Sequence, residues 1–474
     1  MKRFFLLLPL FLLCVKSYAV TVDSATFSGF GKLKIYRTSD KPTSVVIFIS
    51  GDGGWNSGVV DMAKSVSSLN ALVIGVDITR YFAHLRKLSS ACYYPAADFE
   101  NLSKFIQKKY RFKNYINPII IGYSSGATLA YGILAQAPEN TFKGAMGLGF
   151  CPDIDIPKPL CKGAGLESAK RVDNQGYDLK PSKLTSPFIA LLGEKDEVCD
   201  PPLVKEFISK APKCELVLLP KVGHGYSVRK NWMPQFIESF KNLQSYDDEK
   251  KAKFKPTPPV TATLTKPKEL EELPLKIIPS GSTTKTSLIF MISGDGGWTG
   301  FDQELASHLA KESFPVVGLD ALQYFWSEKK PEEVAKSIAP VLEYYLSEWN
   351  CQNIILMGYS FGADIMPFLK NKLSPELKSK VKLVSMLSPD EWADFEIHIS
   401  DMFNLHSSED DNNVLAELKK ANSKTLLIFG SEEVPNKFED LPKTHYKHLV
   451  LPGGHHYGNN YEAVTNGIIQ ALKD

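Results

Sequence analysis

Two short motifs place a serine between glycines, and a serine hydroxyl can attack an ester carbonyl. They are Gly122-Tyr-Ser-Ser-Gly126 and Gly358-Tyr-Ser-Phe-Gly362. Each follows an apolar run typical of a buried strand, at 118–121 and 354–357. Such a motif between a strand and a helix lifts the serine to the carboxyl edge of a sheet. Taken alone, the motif also fits a tight turn with a capping serine.

The second half of the chain supplies the partners that this serine needs. A serine becomes nucleophilic when a histidine takes its proton and a carboxylate holds that histidine. The apolar run 425–429 ends before Glu433, and the run 448–451 ends before His455. We therefore assign Ser360 as nucleophile, His455 as base and Glu433 as acid, with His456 and Glu432 as alternatives. The acid loop lacks the aspartate that is usual in hydrolases.

The first half repeats this order with Ser124, Asp196 and His224. From Ser124 to Asp196 is 72 positions, and from Ser360 to Glu433 is 73. Choosing His455 rather than His456 makes the base follow a glycine in both halves, as His224 follows Gly223. The near-equal spacing predicts a Ser-His-acid triad in each half.

A triad of this kind needs two N–H donors for the oxyanion. One is expected to be the amide after the nucleophile, which belongs to Phe361 in the second half. The other should come from the glycine-rich loop after an early strand, at Asp295 or Gly296. The corresponding residues of the first half are Ser125, Asp52 and Gly53.

We expect neither a cofactor nor a metal. The glycine-rich loops lack the Lys-Ser/Thr pair of a phosphate-binding P-loop. The His455-His456 pair could suggest a metal site, but nothing nearby offers a third ligand at a recognisable spacing.

The elements that must position these residues also occur twice. Ile49-Ser-Gly-Asp-Gly-Gly-Trp55 recurs as Ile292-Ser-Gly-Asp-Gly-Gly-Trp298, behind an apolar run in each half. Such runs alternate with segments of helical spacing, for example Pro331–Tyr345. Strands that alternate with helices indicate a parallel sheet. The sequence therefore predicts an α/β fold of tandem α/β-hydrolase-like domains, each a mostly parallel sheet flanked by helices.

Length and local composition divide the chain. At 474 residues it is too long for one ordinary domain. We place the domains at 20–245 and 275–474, joined by a charged, Pro-rich linker at 246–274. Residues 1–19 have the order of a signal peptide cleaved after Ala19, with a lipoprotein signal at Cys14 as the alternative. The mature protein is expected in the periplasm.

Charge and cysteine content bear on partners and compartment. The 55 Lys and Arg against 53 Asp and Glu give +2, and removal of residues 1–19 leaves 52 against 53, so no nucleic acid is expected. Six cysteines would remain in the exported chain. Sequence proximity favours the pairs Cys151–Cys161 and Cys199–Cys214, with buried free thiols as the alternative.

Several sequence blocks resemble the AcvB/VirJ family of bacterial virulence proteins. In the second half they are Asp320–Trp326, Gly358–Asp364, Ala393–Ile399 and Leu451–His456. In the first half they are Tyr94–Asp98, Gly122–Thr128 and Gly149–Pro152. The two-copy layout is similar to that of the longer, AcvB-type members.

This resemblance implies a periplasmic serine hydrolase whose second half carries the activity, with Ser360 as its active serine. It also implies cleavage of lysyl-phosphatidylglycerol and a link to virulence and type IV secretion. The expected partners are an aminoacylated phospholipid at the membrane surface and secretion-system components. The alternatives are a general carboxylesterase or lipase, and a non-enzymatic periplasmic factor that assists secretion.

A lysyl ester carries two positive charges, which need carboxylates near the nucleophile. Asp364 lies four residues after Ser360, and Asp394 and Glu396 lie in one of the family-like blocks. We predict that these three acids bind the substrate. The expected aromatic contacts with lipid, for which core packing is the alternative, are Tyr324, Phe325 and Trp326.

Overall fold

The computed structural model describes residues 20–173, 175–246, 268–281, 286–398, 412–421, 423–433, 438, 441 and 446–473. The predicted signal peptide and residues 247–267 of the predicted linker lie outside the described residues. The described chain forms two α/β units, each on its own mainly parallel sheet. None of the helices described combines the length and apolar character needed to cross a bilayer.

The first unit runs from β1 to α6. Its strands are β1 (Thr21–Phe27), β2 (Gly31–Arg37), β3 (Ser44–Ile49), β4 (Ala71–Val76), β5 (Ile119–Tyr123), β6 (Gly144–Leu148), β7 (Asp153–Ile154), β8 (Ser168–Lys170), β9 (Tyr177–Leu179), β10 (Phe188–Gly193) and β11 (Cys214–Leu219). Its helices are α1 (Ser57–Ser67), α2 (Ile78–Leu85), α3 (Pro95–Lys109), α4 (Ser125–Gln136), α5 (Pro201–Lys210) and α6 (Met233–Gln244).

The second unit runs from α7 to α14. Its strands are β12 (Leu275–Ile278), β13 (Ser287–Ile292), β14 (Val316–Leu319), β15 (Asn353–Tyr359), β16 (Val381–Leu387), β17 (Thr425–Gly430) and β18 (Tyr446–Leu451). Its helices are α7 (Lys268–Glu271), α8 (Gly300–Lys311), α9 (Ala321–Tyr324), α10 (Pro331–Glu348), α11 (Phe361–Lys372), α12 (Pro375–Lys380), α13 (Val414–Ala421) and α14 (Tyr461–Lys473).

The two main sheets share one topology, as the internal repeat predicts. The strand orders are β1-β2-β4-β3-β5-β6-β10-β11 and β12-β14-β13-β15-β16-β17-β18. From β4 and β14 onward every neighbouring pair is parallel, and antiparallel strands occur only at the β1-β2 and β12 edges. The small antiparallel sheet β7-β9-β8 belongs to the first unit. The predicted fold class, two tandem α/β units with mostly parallel sheets, is confirmed.

Apolar runs form the centre of each sheet. Every residue of β3 and of β13 is buried. A parallel strand with helices on both faces has no solvated side, so a continuous run such as Val45–Ile49 suits it. Helix α7 lies inside the segment predicted as an extended linker, where Leu270 is buried in the core of the second unit. The apolar side chain at this position explains why the chain packs there.

Two disulfides cross the first unit, and both predicted pairings are wrong. The bridges join Cys92 to Cys161 and Cys151 to Cys199, while Cys214 is a free thiol. Cys151 follows β6 and Cys199 follows β10, and these strands are neighbours in the sheet. An isolated bridge between Tyr93 and Leu160 likewise brings the other pair together. Spatial neighbours, rather than sequence neighbours, therefore decide the pairing.

The units contact each other through Trp326, which follows α9 in the second unit. Its indole N–H donates to the carbonyl oxygen of Phe112 at 2.9 Å, and its ring lies 5.1 Å from that of Tyr115. The ammonium of Lys108 lies 4.6 Å from the Trp326 ring centre and 2.6 Å from the carboxylate of Glu396. A segment at the end of α3 therefore packs directly on the second unit.

Candidate active site

Both motif serines sit at sharp turns between a strand and a helix. Ser124 has φ 54° and ψ −125°, and Ser360 has φ 51° and ψ −122°. A positive φ is unusual for a serine and is the strained geometry of a nucleophile elbow. A Cβ on Gly358 would overlap the carbonyl oxygen of Gly362, so strand and helix can approach this closely only with glycine. Both Gly-x-Ser-x-Gly motifs therefore form the sharp strand–helix turn that the sequence predicts.

The first unit brings its three predicted residues together. The Ser124 hydroxyl lies 2.9 Å from His224 Nε2, and His224 Nδ1 lies 2.9 Å from Asp196 Oδ2. Asp196 Oδ1 accepts the backbone N–H groups of Val198 and Cys199, each at 2.9 Å. The complete chain of hydrogen bonds is the arrangement that activates a serine.

The second unit brings its base and acid together in the same way. His455 Nδ1 lies 2.6 Å from Glu433 Oε1. Glu433 Oε2 also accepts the N–H of Gly430 at 2.6 Å and the hydroxyl of Ser388 at 2.9 Å. No hydrogen bond links Ser360 to His455 in this part of the described chain. The His455 side chain is 45% exposed, against 18% for His224, so the second site is the more open one.

The structure separates the alternative residues from these roles. The ring of His456 packs on Phe301 at 5.3 Å rather than on an acid. Burial, together with the charge of the neighbouring His455, lowers the pKa of His456 below its ordinary value. Glu432 is exposed, and the carboxylate that contacts the base belongs to Glu433. The geometry therefore favours the first-choice acid and base of the second unit.

Two of the predicted oxyanion residues, Phe361 and Asp295, line the same cavity as Ser360. Phe361 begins α11, and the first amides of a helix have no acceptor within it. Asp295 lines the same cavity as Ser360 and Phe361. The loop turns through a hydrogen bond from the Gly297 N–H to the Gly294 carbonyl at 3.0 Å. This turn places Asp295 and Gly296 at its exposed corner.

The carboxyl of Asp320 holds the glycine-rich loop in place, a role that was not predicted from the sequence. Its buried carboxyl accepts backbone N–H groups of Trp298, Leu322 and Gln323, and burial raises its pKa above the ordinary value. A Cβ on Gly297 would lie 2.8 Å from Asp320 Oδ1, so the loop passes directly over the carboxyl. The available signal was the aspartate that ends the equivalent strand run in both halves, at Asp77 and Asp320.

A cavity of about 760 Å³ opens beside Ser360 and is strongly acidic. Its lining includes seven carboxyl side chains, those of Asp295, Asp364, Asp390, Asp394, Glu396, Glu432 and Glu433. Neither lysine nor arginine is among the described residues that line it. The predicted binding acids Asp364, Asp394 and Glu396 all lie here, so the structure gathers them around the nucleophile.

Asp364 is the most deeply buried of these acids. Its Oδ1 accepts the N–H of Asp390 at 2.7 Å. Burial raises the pKa of Asp364 well above its ordinary value, and the nearby negative charges of Asp390 and Asp394 raise it further. A cation bound beside Asp364 would lower that pKa again, because it favours the carboxylate form. Glu396 differs because it is already paired with Lys108 of the first unit.

The predicted lipid-contacting aromatics are not at the rim. Tyr324, Phe325 and Trp326 are 7%, 0% and 2% exposed, because they pack in the second core and on the first unit. The exposed aromatic side chain of the cavity is Trp392, at 38%. Sequence reasoning missed it, although it lies one position before a family-like block.

One group in the first unit has the composition of a metal site. Asp196, Cys199 and His224 place a ligand atom each within 4.8 Å of one another. Cys199 is held in the disulfide with Cys151, so it offers no thiolate. The group is better described as a triad acid and base beside a disulfide.

Sequence comparison identifies one matching family. The model of a family described as bacterial virulence protein (VirJ) matches residues 43–148 and 286–474, well over half of the chain. Both matched segments contain an elbow serine. Among curated proteins, no sequence matches this chain.

Three solved structures illustrate the similarity of fold. Est1E from Butyrivibrio proteoclasticus is 12% identical, with a TM-score of 0.30, over 47% of this chain and 98% of its own. An α/β serine hydrolase homologue from Coxiella burnetii is 15% identical, with a TM-score of 0.31, over 48% and 98%. Dienelactone hydrolase from Anabaena variabilis is 14% identical, with a TM-score of 0.34, over 48% and 98%.

Proposed function

The chain belongs to the VirJ family of bacterial virulence proteins, and from that premise we propose that its second unit is a serine hydrolase. Its substrate is the ester that joins a cationic amino acid, lysine, to phosphatidylglycerol. Ser360 is the nucleophile, His455 the base and Glu433 the acid.

The acidic cavity beside Ser360 is the observation that carries this proposal. Seven carboxyl side chains line the cavity, and although Glu396 is paired with Lys108 of the first unit, neither lysine nor arginine is among the described lining residues, so the cavity attracts a group with positive charge. A lysyl ester presents one ammonium group on the carbon next to its carbonyl and a second at the end of the lysine side chain. Hydrogen bonds between ammonium and carboxylate are among the stronger ones in proteins. Such contacts would hold the ester carbonyl at the serine.

The acylation step involves Ser360, His455 and Glu433 in turn. His455 Nε2 takes the proton of the Ser360 hydroxyl as the oxygen attacks the lysyl carbonyl carbon. Glu433, 2.6 Å from His455 Nδ1, stabilises the resulting imidazolium. Among the described residues no hydrogen bond joins Ser360 to His455, and such bonds often tighten only in the substrate complex.

The rest of the cycle releases the two products. The amides of Phe361 and of Asp295 or Gly296 would stabilise the oxyanion. Collapse of the tetrahedral intermediate breaks the ester C–O bond, and the departing glycerol oxygen takes the proton from His455. Water then attacks the lysyl-enzyme by the reverse proton route, which yields lysine and phosphatidylglycerol.

The proposal places the protein in the periplasm, at the membrane surface. Two features support this location: the order of residues 1–19 and the two disulfides of the first unit, because disulfides persist in oxidising compartments. Trp392, exposed at the cavity, is suited to contact lipid at the interface. Contact with secretion-system components remains a prediction from the family resemblance.

Incubation of the purified full chain with vesicles that contain lysyl-phosphatidylglycerol tests the proposal. We expect lysine release by the wild type and a loss of about 10³-fold or more in Ser360→Ala. The matched control is Ser379→Ala, an exposed serine of α12 in the same unit, which should retain the rate. Fast turnover of a neutral short-chain ester at Ser360 without any lysine release would instead support a general carboxylesterase. Normal lysine release by Ser360→Ala would refute the assignment.

A further inference from the structure

We infer that the first unit carries a second, independent hydrolase site, built on Ser124, His224 and Asp196, that takes esters with an uncharged acyl group. This goes beyond the proposed function, which concerns Ser360 in the other unit. Nothing in that function requires an activated serine in the first unit. Its hydrogen bonds nevertheless connect all three residues in the free protein.

The first site is assembled more completely than the second. The Ser124 hydroxyl lies 2.9 Å from His224 Nε2, whereas Ser360 and His455 are not joined by a hydrogen bond in the part of the chain that the structure describes. The Asp196 side chain is fully buried. Its carboxylate contacts His224 and accepts hydrogen bonds from two backbone N–H groups. Tyr123 also fixes the base by donating its hydroxyl to the His224 carbonyl at 2.9 Å, a bond that is longer in the second unit, where Tyr359 donates to the His455 carbonyl at 3.3 Å. A turn with only a structural role would need neither the strained serine nor this chain.

The disulfide between Cys151 and Cys199 further fixes the acid. It ties the loop after β6 to the loop that carries Asp196, and Cys199 Sγ lies 3.9 Å from His224 Nδ1. The second unit has no counterpart, since its acid loop contains no cysteine. A covalent link at this place limits movement of acid and base relative to the serine, which is the preorganisation that a triad needs.

The residues around Ser124 indicate the class of substrate. Three acidic positions of the second cavity are neutral or basic at the equivalent place, counted from the elbow glycine or the end of the strand. Asp364 corresponds to Thr128, Asp390 to Cys151 and Glu432 to Lys195. The Thr128 hydroxyl donates to the Cys151 carbonyl at 2.6 Å. Besides the triad acid, two positions stay acidic: Asp295 corresponds to Asp52, which accepts the hydroxyl of Ser125, and Asp394 corresponds by the same count to Asp155.

The three replacements weaken the attraction for a cationic acyl group. A lysine near the site would repel an ammonium, and a buried threonine cannot pair with one as a carboxylate does. The site therefore suits an ester whose acyl part has no charge. In the reaction Ser124 Oγ forms a bond to the carbonyl carbon while its proton moves to His224 Nε2. The ester C–O bond then breaks, the alcohol leaves with that proton, and water releases the carboxylic acid from the serine.

Labelling with an alkyl fluorophosphonate, followed by peptide mapping, tests for this second nucleophile. In full-length Ser360→Ala we expect label on the peptide that contains Ser124, and none in the Ser124→Ala/Ser360→Ala double variant. Ser209→Ala/Ser360→Ala, which alters an exposed serine of the same unit, is the matched control and should keep the label. Thermal unfolding of each variant shows whether it is folded. Absence of label from folded Ser360→Ala would overturn the inference.

Turnover tests the substrate class and separates the two sites. Ser360→Ala should hydrolyse p-nitrophenyl butyrate at least about 10³-fold faster than the double variant, because loss of a triad member usually costs that much. It should hydrolyse the butyrate ester faster than a lysine p-nitrophenyl ester. Equal rates for single and double variants would exclude the activity, and a preference for the lysine ester would exclude the substrate class. Lysine release from vesicles by the wild type reports on Ser360 separately, so either proposal can fail alone.

Discussion

Replacing Asp364 by asparagine separates charge from shape in the acidic cavity. The side chain is 7% exposed, and an amide of the same size retains the oxygen that accepts the Asp390 N–H at 2.7 Å. The substitution removes only the ability to become a carboxylate. Measurements belong in a Ser124→Ala background, so that a neutral ester reports on the second site alone.

The expected size of the effect follows from one lost charge contact. A hydrogen bond to a charged group contributes about 1.5–3 kcal/mol, and 1.4 kcal/mol is about tenfold in a rate or binding ratio. We therefore expect kcat/KM for a lysyl ester to fall about 10–100-fold in Asp364→Asn. The value for a neutral ester should fall far less, because its acyl group makes no ion pair.

The pH dependence gives a sharper test, because the folded-state pKa of Asp364 is raised by burial and by Asp390 and Asp394. Below that pKa the carboxyl is neutral and attracts no cation. The ratio of kcat/KM for lysyl and neutral esters should therefore rise as pH increases through that pKa. In Asp364→Asn this rise should be smaller. A ratio that is independent of pH in the wild type, or an equal loss on both esters, would refute the reasoning.

The raised pKa of Asp364 also predicts how the free energy of unfolding depends on pH. A raised carboxyl pKa means that the folded state holds its proton more tightly than the unfolded chain. Its contribution is fully present below the unfolded pKa and is lost as pH rises through the folded pKa. Asp364→Asn should consequently be more stable than the wild type at neutral pH, and the gain should vanish in acid. Urea midpoints at both pH values measure this, and a variant less stable at neutral pH would count against it.

Three further changes test the acid, the contact between units and the start of the mature chain. Glu433→Gln should lower kcat at the second site by about 10³–10⁴-fold, as for other triad acids, whereas Glu432→Gln should change it by less than about tenfold on a neutral ester; equal losses would contradict the assignment. Trp326→Ala should cost about 3–5 kcal/mol in denaturant unfolding, because it empties a buried site and removes a hydrogen bond across the units; an unchanged midpoint would argue against that contact. Sequencing of the exported protein should begin at Val20, and recovery of the chain with Met1 intact would contradict cleavage.

The sequence predicted the fold well because the signals for it are local and occur twice. Apolar runs such as Val45–Ile49 require burial on both faces, and a glycine on each side of Ser124 and Ser360 permits only a close strand–helix turn. The spacing of serine, acid and histidine also reflects strand order, so it could be found without coordinates. The choice between His455 and His456 was harder, since it depends on which ring faces the acid and which packs on Phe301.

The predictions that were wrong or incomplete have one physical cause. Residues that are far apart in the sequence but close in space cannot be recognised as neighbours from the local sequence. Cys151 pairs with Cys199 because β10 crosses over to lie beside β6. Trp326 is buried because the first unit packs on it, and no periodicity around it indicates a second surface. Trp392 and the pairing of Glu396 with Lys108 were missed for the same reason.

The first unit does more than carry its own copy of the site, because it also contacts residues beside the site of the second unit. Asn140 of the first unit donates its side-chain N–H to the carbonyl of Trp298 at 2.7 Å, directly after the glycine-rich loop that contains Asp295. Lys108 reaches the cavity acid Glu396 from the same side. The first unit therefore braces both the loop beside the nucleophile and one wall of the second cavity. Because these contacts come from the end of α3 and the loop after α4, they leave Ser124, at the start of α4, on its own sheet edge. One unit can thus support its neighbour's site and retain a separate nucleophile, so divergence of the cavity acids alone would suffice to give the two copies different substrates.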